Sequence, residues 1–83
     1  MQYEFIPRGV CSRRILVELE DNIIRSVRFE GGCNGNLQGI ARLVEGMTVE
    51  EVIEKLKGIR CGFKPTSCPD QLSQALRQAK AER

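Results

Sequence analysis

At 83 residues, with no Trp, one Tyr and three Phe, the chain has room for one domain with a mostly aliphatic core, near the size where that core alone gives thin stability. Thirteen basic and eleven acidic residues are interleaved, for a formal net charge of +2, so the strong basic footprint of a nucleic-acid binder is missing. Histidine is absent, which removes the commonest general base and the commonest nitrogen ligand together.

The opening "MQYEFIPRG" has no basic region leading into an apolar run, and no stretch approaches the roughly 20 apolar residues of a membrane span. The expectation is a cytoplasmic protein without a signal peptide or membrane partner. In that compartment thiols stay reduced unless they are catalytic or metal-bound.

In chain order, "QYEFIP" predicts a short strand with Tyr3 and Phe5 inward, ended by Pro7 and Gly9. "RRILVELE" sets Ile15, Val17 and Leu19 on one face with period two, a half-buried strand. Asp21 and Asn22 are turn residues, and "IIRSVRFEGG" then places Ile23, Val27 and Phe29 on one face, completing a β-hairpin. In "NLQGIARLVEG", Leu37, Ile40, Ala41 and Val44 follow helical spacing, and Gly46 suits the stop. "MTVEEVIEKLKG" begins with Thr48 as N-cap, Glu51 closing a capping box, and Met47 with Val52 as the staple. Its apolar stripe is Val49, Val52, Ile53 and Leu56. "CPDQLSQALRQAKAER" predicts a last helix with Cys68 as N-cap, Pro69 at its first position, Asp70 as a first-turn charge, and Leu72, Ala75, Leu76 and Ala79 on one face. The fold expected is α+β in one domain over 1–83. Its small three-stranded antiparallel sheet is followed by three helices packed on one face, β-β-β-α-α-α.

Such small domains often carry a staple, and the four cysteines are the candidates. With Asp21 and Asn22 central in the turn, Arg13 faces Glu30 and Cys11 falls opposite Gly32, so Cys11 and Cys33 belong at one end of the sheet. The glycines of "GGCNGN" let the backbone fold around a ligand, with Asn34 or Asn36 as the cap of the helix that follows. Cys33 and Cys68 both adjoin helix N-termini, which favour negative charge, and thiolate is the form that binds metal. Arg13, Arg14, Arg60 and Lys64 are near enough in sequence to offset four thiolates, and Phe63 is a candidate to cover them. None of the four stands in a C-x₂-C pair, so two other readings stay open. One is four unpaired structural thiols; the other is two disulfides, Cys11 with Cys33 and Cys61 with Cys68. The leading expectation is a four-thiolate metal site of Cys11, Cys33, Cys61 and Cys68 holding structural zinc, with no catalytic residues.

"TSCPDQL" at 66–72 is the element that names the TSCPD domain family, and "CNGN" at 33–36 and "GIRCG" at 58–62 accompany it. Over nearly its whole length the chain resembles a free-standing member, similar to the C-terminal module of cobalamin-dependent ribonucleotide reductases. The resemblance implies an accessory role beside such a reductase, or another redox protein, as partner. Catalysis by this chain alone is not expected, because 83 residues cannot build the radical-bearing barrel and no G-x-x-x-x-G-K-[ST] phosphate loop is present. A second similarity is to iron–sulfur cluster assembly scaffolds, where cysteines flank a hairpin and open the last helix, as Cys11, Cys33 and Cys68 do here. It implies an iron–sulfur cluster as the alternative cofactor. The chain departs from that pattern in Arg13, where the scaffolds carry aspartate, and in the extra thiol Cys61. A thiol redox module cycling Cys61 and Cys68 is the third function considered.

Overall fold

Alternation of Ile15, Val17 and Leu19 with polar neighbours builds the middle strand of a three-stranded antiparallel sheet. The computed structural model describes residues 1–32 and 34–82. Strands β1 (Gln2–Phe5), β2 (Ser12–Glu20) and β3 (Ile23–Gly31) lie in that order in the sheet, followed by helices α1 (Asn34–Val44), α2 (Val49–Leu56) and α3 (Cys68–Ala81). Ile15, Val17, Leu19, Ile24 and Val27 from the sheet are buried with Val44, Val49, Val52, Leu72, Leu76 and Ala79 from the helices in one aliphatic core. Tyr3, Phe5 and Phe29 pack at its margin, so the expected α+β arrangement is the one observed. On the polar side of the sheet Arg14 bridges Glu4 and Glu30 at 2.7 and 2.6 Å, tying the three strands together.

The hairpin departs from uniform pairing twice. Glu18 pairs with Ser26 but Leu19 with Ile24, which leaves Arg25 as an extra residue on β3. Nearer the open end Arg14 pairs with Glu30 but Ser12 with Gly31, leaving Arg13 as an extra residue on β2. Each bulge flips the side-chain alternation beyond it. At the first, Ile24 turns inward with no exposed surface, and Ile23, expected inside, is 36% exposed. Between the bulges Arg14, and not Arg13, faces Glu30. The two insertions lie on opposite strands and cancel. Thus Ser12 meets Gly31, and Cys11 leads into the strand at the end where the unbulged hairpin would have put it.

The helices follow their local signals. Thr48 caps α2 with the complete capping box, its hydroxyl accepting from the Glu51 N–H, and Met47 packs on the same core as Val52. Glycines in the left-handed region follow α1 and α2, Gly46 at φ 86° and Gly58 at φ 80°. Helix α3 begins one residue earlier than its Pro69 suggests. Its N-cap is Ser67, whose hydroxyl accepts from the Asp70 N–H, and Cys68 is its first helical residue. Serine is the better acceptor for that orphan donor, so it takes the capping role from the thiol.

The bulge sets a testable asymmetry between adjacent isoleucines. Ile24→Ala should cost about 2–5 kcal/mol of unfolding free energy in urea, while Ile23→Ala should cost less than about 1 kcal/mol. The opposite ranking would show that the strand pairs without the bulge.

Candidate functional site

Three chain segments converge at the open end of the hairpin, beside the start of α3. Cys11 lies in the loop entering β2 and is exposed, and Ser12 behind it is buried. Gly31 and Gly32 leave β3 with φ of 84° and 79°. A β-carbon on Gly32 would stand 3.0 Å from Leu37 Cδ1 and 3.2 Å from the Ser12 backbone nitrogen. Only a residue without one lets the chain pass this close, and the positive φ favours glycine as well. From the helix side, Cys68 brings its Sγ to 3.3 Å from the Ser12 hydroxyl, so Ser12 joins the entry to β2 to the start of α3. Cys33 lies outside the described residues, as does the cap position of α1.

Cys61 lies on the loop between α2 and α3, and that loop is held by an aspartate. Asp70 is buried, not the surface first-turn charge its position suggests. Its carboxylate accepts from Thr66 Oγ1 at 2.5 Å, the Gly58 N–H at 2.7 Å and Gln74 Nε2 at 3.3 Å. Ser67 Oγ donates to the Ile59 carbonyl at 2.7 Å, and the Cys61 N–H to the Thr66 carbonyl at 3.1 Å. Gln71 links Thr66 to the chain before β2, donating from Nε2 to Thr66 Oγ1 and accepting from the Arg8 N–H. The loop is thus closed on itself, with Cys61 exposed near its middle. Phe63, expected to cover the thiols, is instead fully exposed at the tip.

Among the described residues no group of three or more His, Cys, Asp or Glu side chains is arranged to hold a metal ion. What the fold does bring together is Cys68 and Ser12, the residue after Cys11, with the turn that leads toward Cys33 pressed against the same serine. No disulfide joins Cys11, Cys61 and Cys68 to one another. Nothing in the sequence pattern singles out Ser12, whose contact with Cys68 joins positions 56 apart, and the first-turn place of Asp70 gives no sign that its carboxylate is buried. Among the described residues no helix is long and apolar enough to cross a membrane.

The Asp70 network makes stability depend on pH. Burial by itself would raise the carboxyl's pKa, but the hydrogen bonds from Thr66, Gly58 and Gln74, with Arg77 nearby, outweigh it and hold the pKa below the ordinary aspartate value. A lowered folded-state pKa means stabilisation present above the unfolded value of about 3.9 and lost as pH falls through the folded one. Asp70→Asn should therefore cost about 1–3 kcal/mol at pH 7, and its deficit against the parent should shrink as pH is lowered from about 5 to 2. Parallel stability curves for the two proteins would exclude this role.

Almost the whole chain fits one recognised sequence pattern. The profile of the TSCPD domain matches residues 1–80, taking in all four cysteines, the three strands, α1, α2 and all of α3 but its last residue. No curated protein and no solved structure matches the chain. The match takes in nearly the whole domain and includes the turn and helix start at 66–72 described above, so the chain belongs to the TSCPD domain family.

Proposed function

We propose that this chain is a small metal-binding accessory module in which Cys11, Cys33, Cys61 and Cys68 would hold one structural zinc ion. The observation that carries the reading is the 3.3 Å approach of Cys68 Sγ to Ser12 Oγ, which links the thiol opening α3 to the segment bearing Cys11. The glycine before Cys33 packs against the same Ser12. The donor chemistry fits a thiophilic ion, since the chain has four cysteines and no histidine. Four protein ligands would leave no open coordination position, so the ion would supply folding energy and rigidity rather than Lewis-acid catalysis. Ser12 would donate a hydrogen bond to one ligand sulfur. As partner, the resemblance to the C-terminal module of cobalamin-dependent ribonucleotide reductases makes such a reductase, or another redox protein, the first to test.

Metal and sulfide content per chain, measured with a visible spectrum on protein purified without oxygen or chelator, tests the reading. One zinc, no sulfide and no colour are expected, with Cys68→Ser losing the metal and melting at a lower temperature. Iron with sulfide and a brown colour would replace zinc by a cluster on the same residues. Free thiols without metal, and unchanged melting of Cys68→Ser, would overturn the metal reading.

A further inference from the structure

The least explained side chain on the surface is Phe63. It is fully exposed, beyond even the reference for an extended chain, while Ile59 in the same loop is 41% exposed. A solvated aromatic at a floppy tip would mean little, but this loop is not floppy. Its start is held by the Gly58 N–H on Asp70 and the Ser67 hydroxyl on the Ile59 carbonyl. Its middle is closed by the Cys61 N–H on the Thr66 carbonyl and the Lys64 N–H on the Cys61 carbonyl, with Gly62 at φ 59° making the turn. Gly9 packs against Thr66 and the Arg8 N–H donates to Gln71, so Arg8 borders the same loop.

The charge around Phe63 has one sign. From 55 to 69 the chain carries Lys55, Lys57, Arg60 and Lys64 and no carboxylate. Lys57 pairs with Glu54, whereas Arg8, Arg60 and Lys64 have no ion-pair partner among the described residues. Arg14 is neutralised by Glu4 and Glu30 and Lys80 by Glu50, and among the described residues Arg28 on β3 and Arg42 on α1 are likewise without an ion pair; what sets the loop apart is that Phe63 is flanked by Arg60 and Lys64 in a segment with no carboxylate of its own.

We propose that the loop 59–65, with Arg8 at its border, is a docking surface for an acidic segment of a partner protein that carries apolar side chains. Phe63 is the anchor and the unpaired cations select negative charge. Aromatic and arginine side chains dominate binding energy at protein interfaces, and a loop ordered before binding loses little entropy on docking. A single aromatic does not offer the series of stacking platforms that single-stranded nucleic acid uses. Lys64 standing between Phe63 and Pro65 also breaks the apolar tip that membrane insertion needs. The inference gives the accessory-module reading its contact surface. It does not require metal, so metal content and docking can fail separately.

The test is fluorescence polarisation at low salt with four probes: a labelled peptide of alternating Glu/Asp with Leu and Trp, the same peptide with Lys for the acids, a thymidine oligonucleotide, and phosphatidylserine vesicles. The acidic peptide should bind saturably, weaken at least tenfold for Phe63→Ala and for the double variant Arg60→Glu with Lys64→Glu, and weaken further with added salt. Phe63→Ala should melt like the parent, because the ring has no contacts to lose. Absence of saturable binding, binding indifferent to Phe63, or a preference for the oligonucleotide or the vesicles would overturn the proposal.

Discussion

The carboxylate of Asp70 ties the chain leaving α2 to the chain entering α3. It accepts from the Gly58 N–H just past α2, from Thr66 before α3 and from Gln74 one turn into α3, while its own N–H is capped by Ser67. A buried carboxylate is tolerated only when its lone pairs are satisfied, and here every donor comes from the loop or the helix start that it organises. Everything that distinguishes this end of the molecule hangs on that closure. It fixes where Cys68 begins α3, hence the approach of Cys68 to Ser12, and it holds Cys61 and Phe63 on a turn whose two ends cannot drift apart.

On the opposite side of the same region the sheet reaches its geometry by cancellation. The bulge at Arg25 lets Ile24 enter the core, and that bulge alone would displace the far end of the hairpin by one residue. The second bulge, at Arg13, restores the pairing before Ser12 meets Gly31. Ser12 is therefore turned inward toward Cys68 while Arg13 stays at the surface. The glycines after β3 then allow the backbone to lie against Ser12 at a distance a side chain would forbid. A serine at the meeting point of three segments is a position from which a hydroxyl can support a neighbouring sulfur.

Elements whose signals are local were legible from the residues. The capping box of Thr48 and Glu51, the aliphatic stripes of α2 and α3, and the alternation along β2 all correspond to observed structure, because helix caps and strand faces are decided within a few residues. The places where the reading missed all involve competition between partners. Ile23 and Ile24 are equally apolar, and only the core's demand for Ile24 selects the bulge. Ser67 displaced Cys68 as the cap because its hydroxyl is the stronger acceptor. Phe63, expected to cover the thiols, stands instead fully in solvent.

By itself, then, the sequence determined the order of three strands and three helices, the aliphatic core, the family, and the residue types available for any site: thiols without histidine. Only the tertiary structure decided that Ser12 stands between Cys68 and the turn after β3, that Asp70 is an interior hub, and that Phe63 stands in solvent. The reason is one of range. Backbone propensities and periodicity act over a few residues, whereas the contacts Ser12 to Cys68 and Arg8 to Gln71 join positions 56 and 63 apart, whose meeting depends on every element between them.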